Sequence, residues 1–239
     1  MLADAADRKP SIGAFSQHLH ASGESRLALL SFIAQELPRW RDRADRPART
    51  AETALTSQLC AHLNSVARRM RGWDCYQFRV EEGDEVKAGR KLDLVVSPCD
   101  AVLWIEGRSY TDFDTILPIE CKRLPTPKGP NRDEREYVTV AGGSTGGIQR
   151  FKDGHHASAH TIGGIIAYLQ ADSHDAWHLK VQSWIGDLVA SRQIGWSTAD
   201  LLQFEADFST DGLRIYRSSH FRGDGLANIE LRHLWLYMS

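Results

Sequence analysis

The sequence predicts an α/β protein, and three observations carry that expectation. Apolar residues recur at helical spacing in three stretches, around 24–40, 50–70 and 175–191. Between and after them lie short aliphatic and aromatic runs bounded by Gly, Pro, Ser or Asp, the pattern of strands. At 239 residues, 42% of them hydrophobic and 25% charged, the chain has the length and composition of one globular domain with a sizeable core.

Taken in order, residues 1–23 mix Asp, Lys, Pro, Gly and His without period and predict a loose tail, which leaves 24–239 as a single domain. Leu27, Leu30, Ile33, Ala34, Leu37 and Trp40 share one face of a first helix, which Pro38 should interrupt before an Arg/Asp-rich connector to Arg49. Thr50 is expected to cap a second helix reaching about residue 70, with Leu55, Leu59, Leu63 and Val66 as its apolar face. Glu52 falls on that same face. Strands are expected over 75–80, 91–96 and 116–124, the first two joined by a polar turn at 81–89 and the second stopped by Ser97-Pro98. Residues 101–105 read as an added hairpin strand or a turn of helix. A rigid basic loop at 125–130 precedes a glycine-rich segment, 141–147, that opens a helix from Ile148 to about His156. A buried strand over 161–169, the helix over 175–191, and strands over 213–221 and 229–237 complete the chain. There is no internal repeat and no low-complexity block.

Composition narrows the function classes. No apolar run reaches the roughly 18 residues of a membrane span, and the first residues are acidic where a signal peptide would be basic, so a cytoplasmic location is expected. Cys60, Cys75, Cys99 and Cys121 form no C-x-x-C pair and predict free, mostly buried thiols. The net charge of -2 does not mark a nucleic-acid binder. Three local clusters are basic: Arg39, Arg41, Arg43, Arg46 and Arg49; Arg68, Arg69 and Arg71; and Lys122, Arg123, Lys128 and Arg132. Such clusters can meet phosphates, although charge runs are usually solvated faces.

The chemistry concentrates in Glu120-Cys121-Lys122. Side chains alternate along a strand, so Glu120 and Lys122 project together from one face of an otherwise apolar run. Asp93 sits between Leu92 and Leu94 in another aliphatic run, where a carboxylate needs a cation, a hydrogen-bond cage or a metal. If the two strands are neighbours, Asp93 and Glu120 can share one Mg²⁺, with the Cys121 carbonyl as a further oxygen ligand. Lys122 would then orient or help deprotonate a metal-bound water and stabilise charge on a phosphate. Each piece alone has an ordinary reading: a surface ion pair for Glu120 and Lys122, a pairing with Lys91 or Arg90 for Asp93, a solvated first-turn acid for Glu52. Their occurrence together and in order weakens those readings.

The order Glu52, Asp93, Glu120-Cys121-Lys122 resembles the PD-(D/E)xK nuclease superfamily, with Gly147-Ile148-Gln149-Arg150-Phe151 similar to the Gln-bearing helix of many members. The resemblance covers about 50–169. It implies a restriction-endonuclease-like α-β-β-β-α-β core with a central mixed sheet, to which this chain adds an N-terminal helix and C-terminal strands. It also implies Asp93 and Glu120 as metal ligands, Lys122 as the water-handling residue, Glu52 as an auxiliary acid for a second metal or its waters, and Gln149 steadying Lys122 or touching DNA. Leu92 stands where the motif's Pro would be and Phe151 where a Tyr is frequent. The implied activity is a Mg²⁺-dependent nuclease, with Mn²⁺ as a substitute. DNA is favoured over RNA, and the implied setting is restriction or antiphage defence, with a homodimer or a partner subunit. The alternative is a catalytically silent protein of the same fold that binds nucleic acid or scaffolds a defence or repair complex.

Other motifs fare worse. The glycine segment lacks the G-K-[ST] ending of a P-loop, though it would let a strand approach closely. His174 and His178 lack an accompanying H-E-x-x-H acid, and Ser218-Ser219-His220 lacks a nucleophile elbow. His155, His156 and His160 read as a polar rim.

Overall fold

The structure, a computed structural model, describes residues 24–83, 91–129, 132–140 and 146–238. The tail expected over 1–23, part of the polar turn and most of the glycine-rich segment lie outside the described residues. In chain order the elements are α1 (Glu24–Arg41), α2 (Glu52–Ala67), β1 (Tyr76–Gly83), β2 (Lys91–Pro98), β3 (Leu103–Ile105), β4 (Arg108–Tyr110) and β5 (Leu117–Leu124). They continue with α3 (Gly147–Lys152), β6 (Ile162–Leu169), α4 (His174–Ala190), β7 (Gln203–Phe208), β8 (Leu213–His220) and β9 (Ile229–Tyr237).

Seven strands form one mixed sheet in the order β1-β2-β5-β6-β9-β8-β7. The two central pairings, β5 with β6 and β6 with β9, are parallel. The flanking pairings are antiparallel. β3 and β4 make a separate hairpin between β2 and β5. The protein is thus a mixed α/β fold, as expected.

Alternation along the strands divides the core into two layers. On one face Leu94, Val96, Ile119, Cys121, Ile166 and Tyr168 pack against α1 and α2. On the other, Leu124, Ile165, Ala167, Leu169 and Trp235 pack against α3 and α4. Leu55, Leu59 and Leu63 of α2 are all fully buried, each stabilising the fold by roughly 1.5–3 kcal/mol. No helix among the described residues is long and apolar enough to cross a membrane.

Several expectations need correction. α1 runs through Pro38 rather than stopping there. Leu37 and Trp40 are buried on either side of it, and the Asp42 amide donates to the Pro38 carbonyl at 3.0 Å, so packing and the last turn outweigh the lost donor. The residue before α2 is Ala51, not Thr50, and no side chain caps the helix. The Thr50 carbonyl instead accepts from Arg123 Nη1 at 2.9 Å and Gln170 Nε2 at 2.7 Å, tying the start of α2 to the sheet. β2 continues through Ser97 and Pro98. β4 and β7 were not expected at all; both are short and mostly exposed, so no apolar alternation announces them. All four cysteines are free, Cys60 and Cys121 buried, Cys75 and Cys99 only partly so.

α3 is shorter than expected because the chain turns after Lys152. The amides of His155 and His156 both donate to the Arg150 carbonyl, and Gly154 takes a positive φ of 61°. The start of α3 is set by a close approach. A Cβ on Gly146 would stand 2.2 Å from Thr139 Cα and 2.6 Å from the Val138 carbonyl oxygen. Backbone cannot yield as a flexible side chain can. Gly146→Ala should therefore destabilise the protein by about 1–3 kcal/mol, read as a lower urea midpoint with an unchanged slope.

Candidate functional site

The site forms where β2 and β5 part. Their paired residues are Leu94–Val96 with Ile119–Leu117, and the register goes no further toward Glu120. The Cys121 amide, past that point, donates to Asp93 Oδ2 at 2.8 Å, a side chain standing in for the missing ladder. Two residues on, the Arg123 amide donates to Glu52 Oε2 at 2.8 Å. A strand residue's N–H and C=O point to the same neighbour, so the Cys121 carbonyl also faces the fork.

Glu120 and Lys122 project from the other face of β5, toward α3. Lys122 Nζ lies 2.7 Å from Glu120 Oε1, 3.8 Å from Glu52 Oε1 and 3.9 Å from Asp93 Oδ2. Three carboxylates from three elements therefore surround one ammonium. Glu120 is wholly buried and Lys122 is 5% exposed, whereas the Asp93 and Glu52 side chains keep 31% and 25% exposure. The cluster is closed on its Glu120 side and open on its Asp93 side.

Sequence reasoning passed over Arg150. Its Nη1 donates to Glu120 Oε1 at 2.6 Å, so that oxygen serves two cations. Gln149, the residue singled out beside it, uses its Oε1 to accept from Thr139 Oγ1, and its amide donates to the Val138 carbonyl at 3.0 Å. Among the described contacts Gln149 anchors α3, while Arg150 reaches the carboxylate. His156 Nε2 stands 3.8 Å from Glu120 Oε2. His156 and His160 are buried, not the expected rim. Their loop is clamped by Arg222, whose Nη1 and Nη2 donate to the Ala157 and His160 carbonyls at 2.9 and 2.7 Å.

Burial and charge pull the titrations apart. Burial pushes the Asp93 carboxyl up, Glu120 and Glu52 push it further, and Lys122 and the Cys121 amide oppose them; the result is about 7. Burial would also raise Glu120, but Lys122, Arg150 and His156 together hold it below its ordinary value. For Lys122 burial favours the neutral amine, yet Glu120, Asp93 and Glu52 overcome it and the pKa is raised. Without another cation present, Lys122 is an ammonium and cannot accept a proton.

A second buried polar chain lies behind α3. Lys152 pairs with Asp200, and Asp200 Oδ1 meets His220 Nδ1 at 2.5 Å. His220 Nε2 bonds Ser218 Oγ at 2.6 Å, Ser218 Oγ bonds His233 Nε2 at 2.7 Å, and His233 Nδ1 bonds Tyr137 Oη at 2.6 Å. Ser218, His220 and Asp200 thus have the contacts of a nucleophilic triad. All three are at most 2% exposed and Ser218 Oγ is shared with His233, so no substrate reaches them. Lys152 falls four residues after Ile148, which marks it for the buried face of α3. His174 and His178 each place Nε2 on a backbone carbonyl, those of Trp235 at 3.1 Å and Leu202 at 3.4 Å.

Comparison of the chain with protein-family models, curated proteins and solved structures gave no match. Among the described residues no three His, Cys, Asp or Glu side chains are arranged as a metal cage. The candidate donors are the Asp93 carboxylate and the Cys121 carbonyl at the fork and the Glu120 carboxylate behind it, all hard oxygens. Glu120 Oε2 is buried without a hydrogen-bond partner. That set fits Mg²⁺, which takes one or two carboxylates and completes its shell with waters and phosphate oxygens.

The raised Asp93 pKa has a measurable consequence. In the unfolded chain Asp93 ionises near its ordinary value, so the folded state is penalised as pH rises from about 4 to about 7. Asp93→Asn removes the penalty. With EDTA present, the variant should be more stable than wild type at pH 8 by on the order of 2 kcal/mol, discounted for its solvent contact. The gap should close below about pH 4, and equal stability at both pH values would contradict the burial described.

Proposed function

We propose that the protein is a Mg²⁺-dependent nuclease of restriction-endonuclease-like fold, acting on DNA in preference to RNA. The observation that carries this reading is the single ammonium of Lys122 within 3.9 Å of carboxylates from α2, β2 and β5, at the point where two strands diverge. The succession α2, β1, β2, β5, α3, β6 supports the same fold as the motif resemblance, with the β3–β4 hairpin as an insertion.

Asp93, Glu120 and the Cys121 carbonyl would hold the Mg²⁺, with Glu52 reaching a second ion or the water shell; Mn²⁺, which accepts the same oxygen donors, would substitute. When bound, the ion would offset phosphate charge and lower the pKa of a coordinated water. Lys122 supplies a fixed positive charge for the nonbridging oxygens as negative charge builds on phosphorus. As an ammonium it orients water through its N–H donors; it is not the base in the cation-free site. Arg150 keeps Glu120 ionised, and its side chain is 25% exposed. The placement of α3 by Gly146 and Gln149 fixes that guanidinium.

A role in restriction or antiphage defence, with a second copy or a partner subunit supplying recognition, follows from the resemblance and belongs to the proposal. A second reading has one observation in its favour. Glu120 is already paired with both Lys122 and Arg150, which leaves less negative charge to hold a metal and favours a catalytically silent protein of the same fold that binds nucleic acid.

One experiment separates the two. Purified protein is incubated with plasmid and single-stranded DNA in Mg²⁺, Mn²⁺ or EDTA. Cleavage is expected in either metal and not in EDTA. Asp93→Ala and Lys122→Ala should each lower it by at least about 100-fold, while Arg150→Gln, acting through Glu120, should lower it about 10- to 100-fold. Metal-independent cutting, or full activity in Lys122→Ala, would remove the mechanism. Retarded DNA migration without cleavage in any metal would favour the silent reading.

A further inference from the structure

We infer that a nucleic-acid strand reaches the Lys122 cluster over the start of α2, where Arg49, Arg123 and Lys128 hold the phosphates next to the one at the site. This path presupposes a nucleic-acid ligand, common to the nuclease and the silent binder.

The loop after β5 and the connector before α2 meet on the open side of the cluster. Arg123 follows Lys122 on β5, and alternation sends its side chain to the α2 face while Lys122 faces α3. Its amide donates to Glu52 Oε2 at 2.8 Å and its Nη1 to the Thr50 carbonyl at 2.9 Å. The guanidinium therefore lies at the start of α2, next to the backbone of the residue after Arg49. Lys128 stands further along the loop. Arg132 is held above its ordinary value by its bond to Glu136, and the charge of Glu52 adds to the rise, so the loop returns toward α2.

The neighbouring cations are already matched by acids or rings. Arg39, Arg41 and Arg43 pair with Glu36, Asp42 and Asp45, and Arg46 lies over the Trp40 ring. Beyond Lys128 pairing resumes: Arg132 with Glu136, Arg135 with Asp187, and Lys180 with Glu134 and Asp172. Between these stretches Arg49, Arg123 and Lys128 have no carboxylate partner among the described residues. Arg49 and Lys128 are exposed, and Arg123 is partly so. Arg68, Arg69 and Arg71 also lack printed acid partners, but they lie at the other end of α2, about 24 Å from Glu52 at 1.5 Å per residue. There Arg68 shares its ground with Asp100 and Asp112.

This distribution sets the direction of approach. The paired charges on the α3 and α4 side offer little net attraction, whereas three unmatched cations beside the opening draw a polyanion to the α2 side. The Asp93 and Glu52 carboxylates repel phosphate until a cation stands between them, so the flanking phosphates need positive groups of their own. Arginine and lysine side chains of this kind fix a backbone in place without reading its bases. Arg123, with one N–H already on the Thr50 carbonyl, is oriented before a phosphate arrives.

Binding of a short fluorescent duplex and of the matching single strand is measured in Ca²⁺ and in EDTA over a KCl series. The triple variant Arg49→Gln/Arg123→Gln/Lys128→Gln should reduce the steepness of log K against log salt by about 2–3 on duplex, since each phosphate contact contributes about 0.9. Arg192→Gln/Arg217→Gln, which removes two exposed arginines elsewhere, should leave the slope unchanged. A reduction on the duplex, the single strand or both supports the path. An unchanged slope in the triple variant, or an equal reduction in the control pair, overturns it and leaves the nuclease reading standing. If the wild type binds neither form in either condition, the path and the nucleic-acid reading fall together. Should loss of the Arg123 tie unfold the triple variant, Arg49→Gln/Lys128→Gln decides. Its expected reduction is about 2, and no reduction overturns the path.

Discussion

The ammonium of Lys122 sits beside a carboxylate, Glu120, that has no exposure to solvent. Taking either charge out of water alone would cost several kcal/mol, and a single pair rarely repays that cost. The fold answers by bringing further charges to the same spot. Glu52 reaches across from the helical layer on the opposite face, Asp93 leans over from β2, and Arg150 comes down from α3. Four elements that the two apolar cores bring into contact are thereby pinned to one point. The end of the β2–β5 ladder follows from the same demand, since the Asp93 carboxylate occupies the Cys121 amide that a continued ladder would have used.

What was legible in the sequence is what local patterning encodes. Period two put Glu120 and Lys122 on one face, an acid among aliphatics marked Asp93, and helical spacing turned Glu52 inward. Arg150 was not legible in the same way. Its reach depends on how α3 is rotated, and that is set by the approach of Gly146 to Thr139, a contact no period records. The burial of His156 and His160 comes from Arg222, more than sixty positions away. β4 and β7 escaped because they bury little, and Pro38 misled because packing on both sides of it carries the helix past.

The charged clusters around Lys152 and around Lys122 are made from similar groups and differ in access. Around Lys152 the carboxylate of Asp200, though burial pushes it up, is held below its ordinary value by His220 and Lys152, and burial pushes His233 down. Every member has a partner inside the protein. Around Lys122 two carboxylates keep partial exposure and one buried oxygen lacks a hydrogen-bond partner. α3 joins the two, with Arg150 turned to one cluster and Lys152 to the other. The inward cluster anchors the helix that the outward one depends on.

The fork between β2 and β5 divides the chain into parts that can and cannot change length. The segment between the two strands, with its β3–β4 hairpin, leaves and rejoins the sheet at the paired end of the ladder, away from Asp93 and Glu120. Additions there would lengthen a surface excursion without moving the carboxylates. One residue inserted within β5 is another matter, because every side chain beyond it would change face. Cys121 and Arg123 would then turn toward α3, and Glu120 and Lys122 would be driven among the leucines of α2. Divergence among related chains should therefore crowd into the hairpin and spare the spacing of β5.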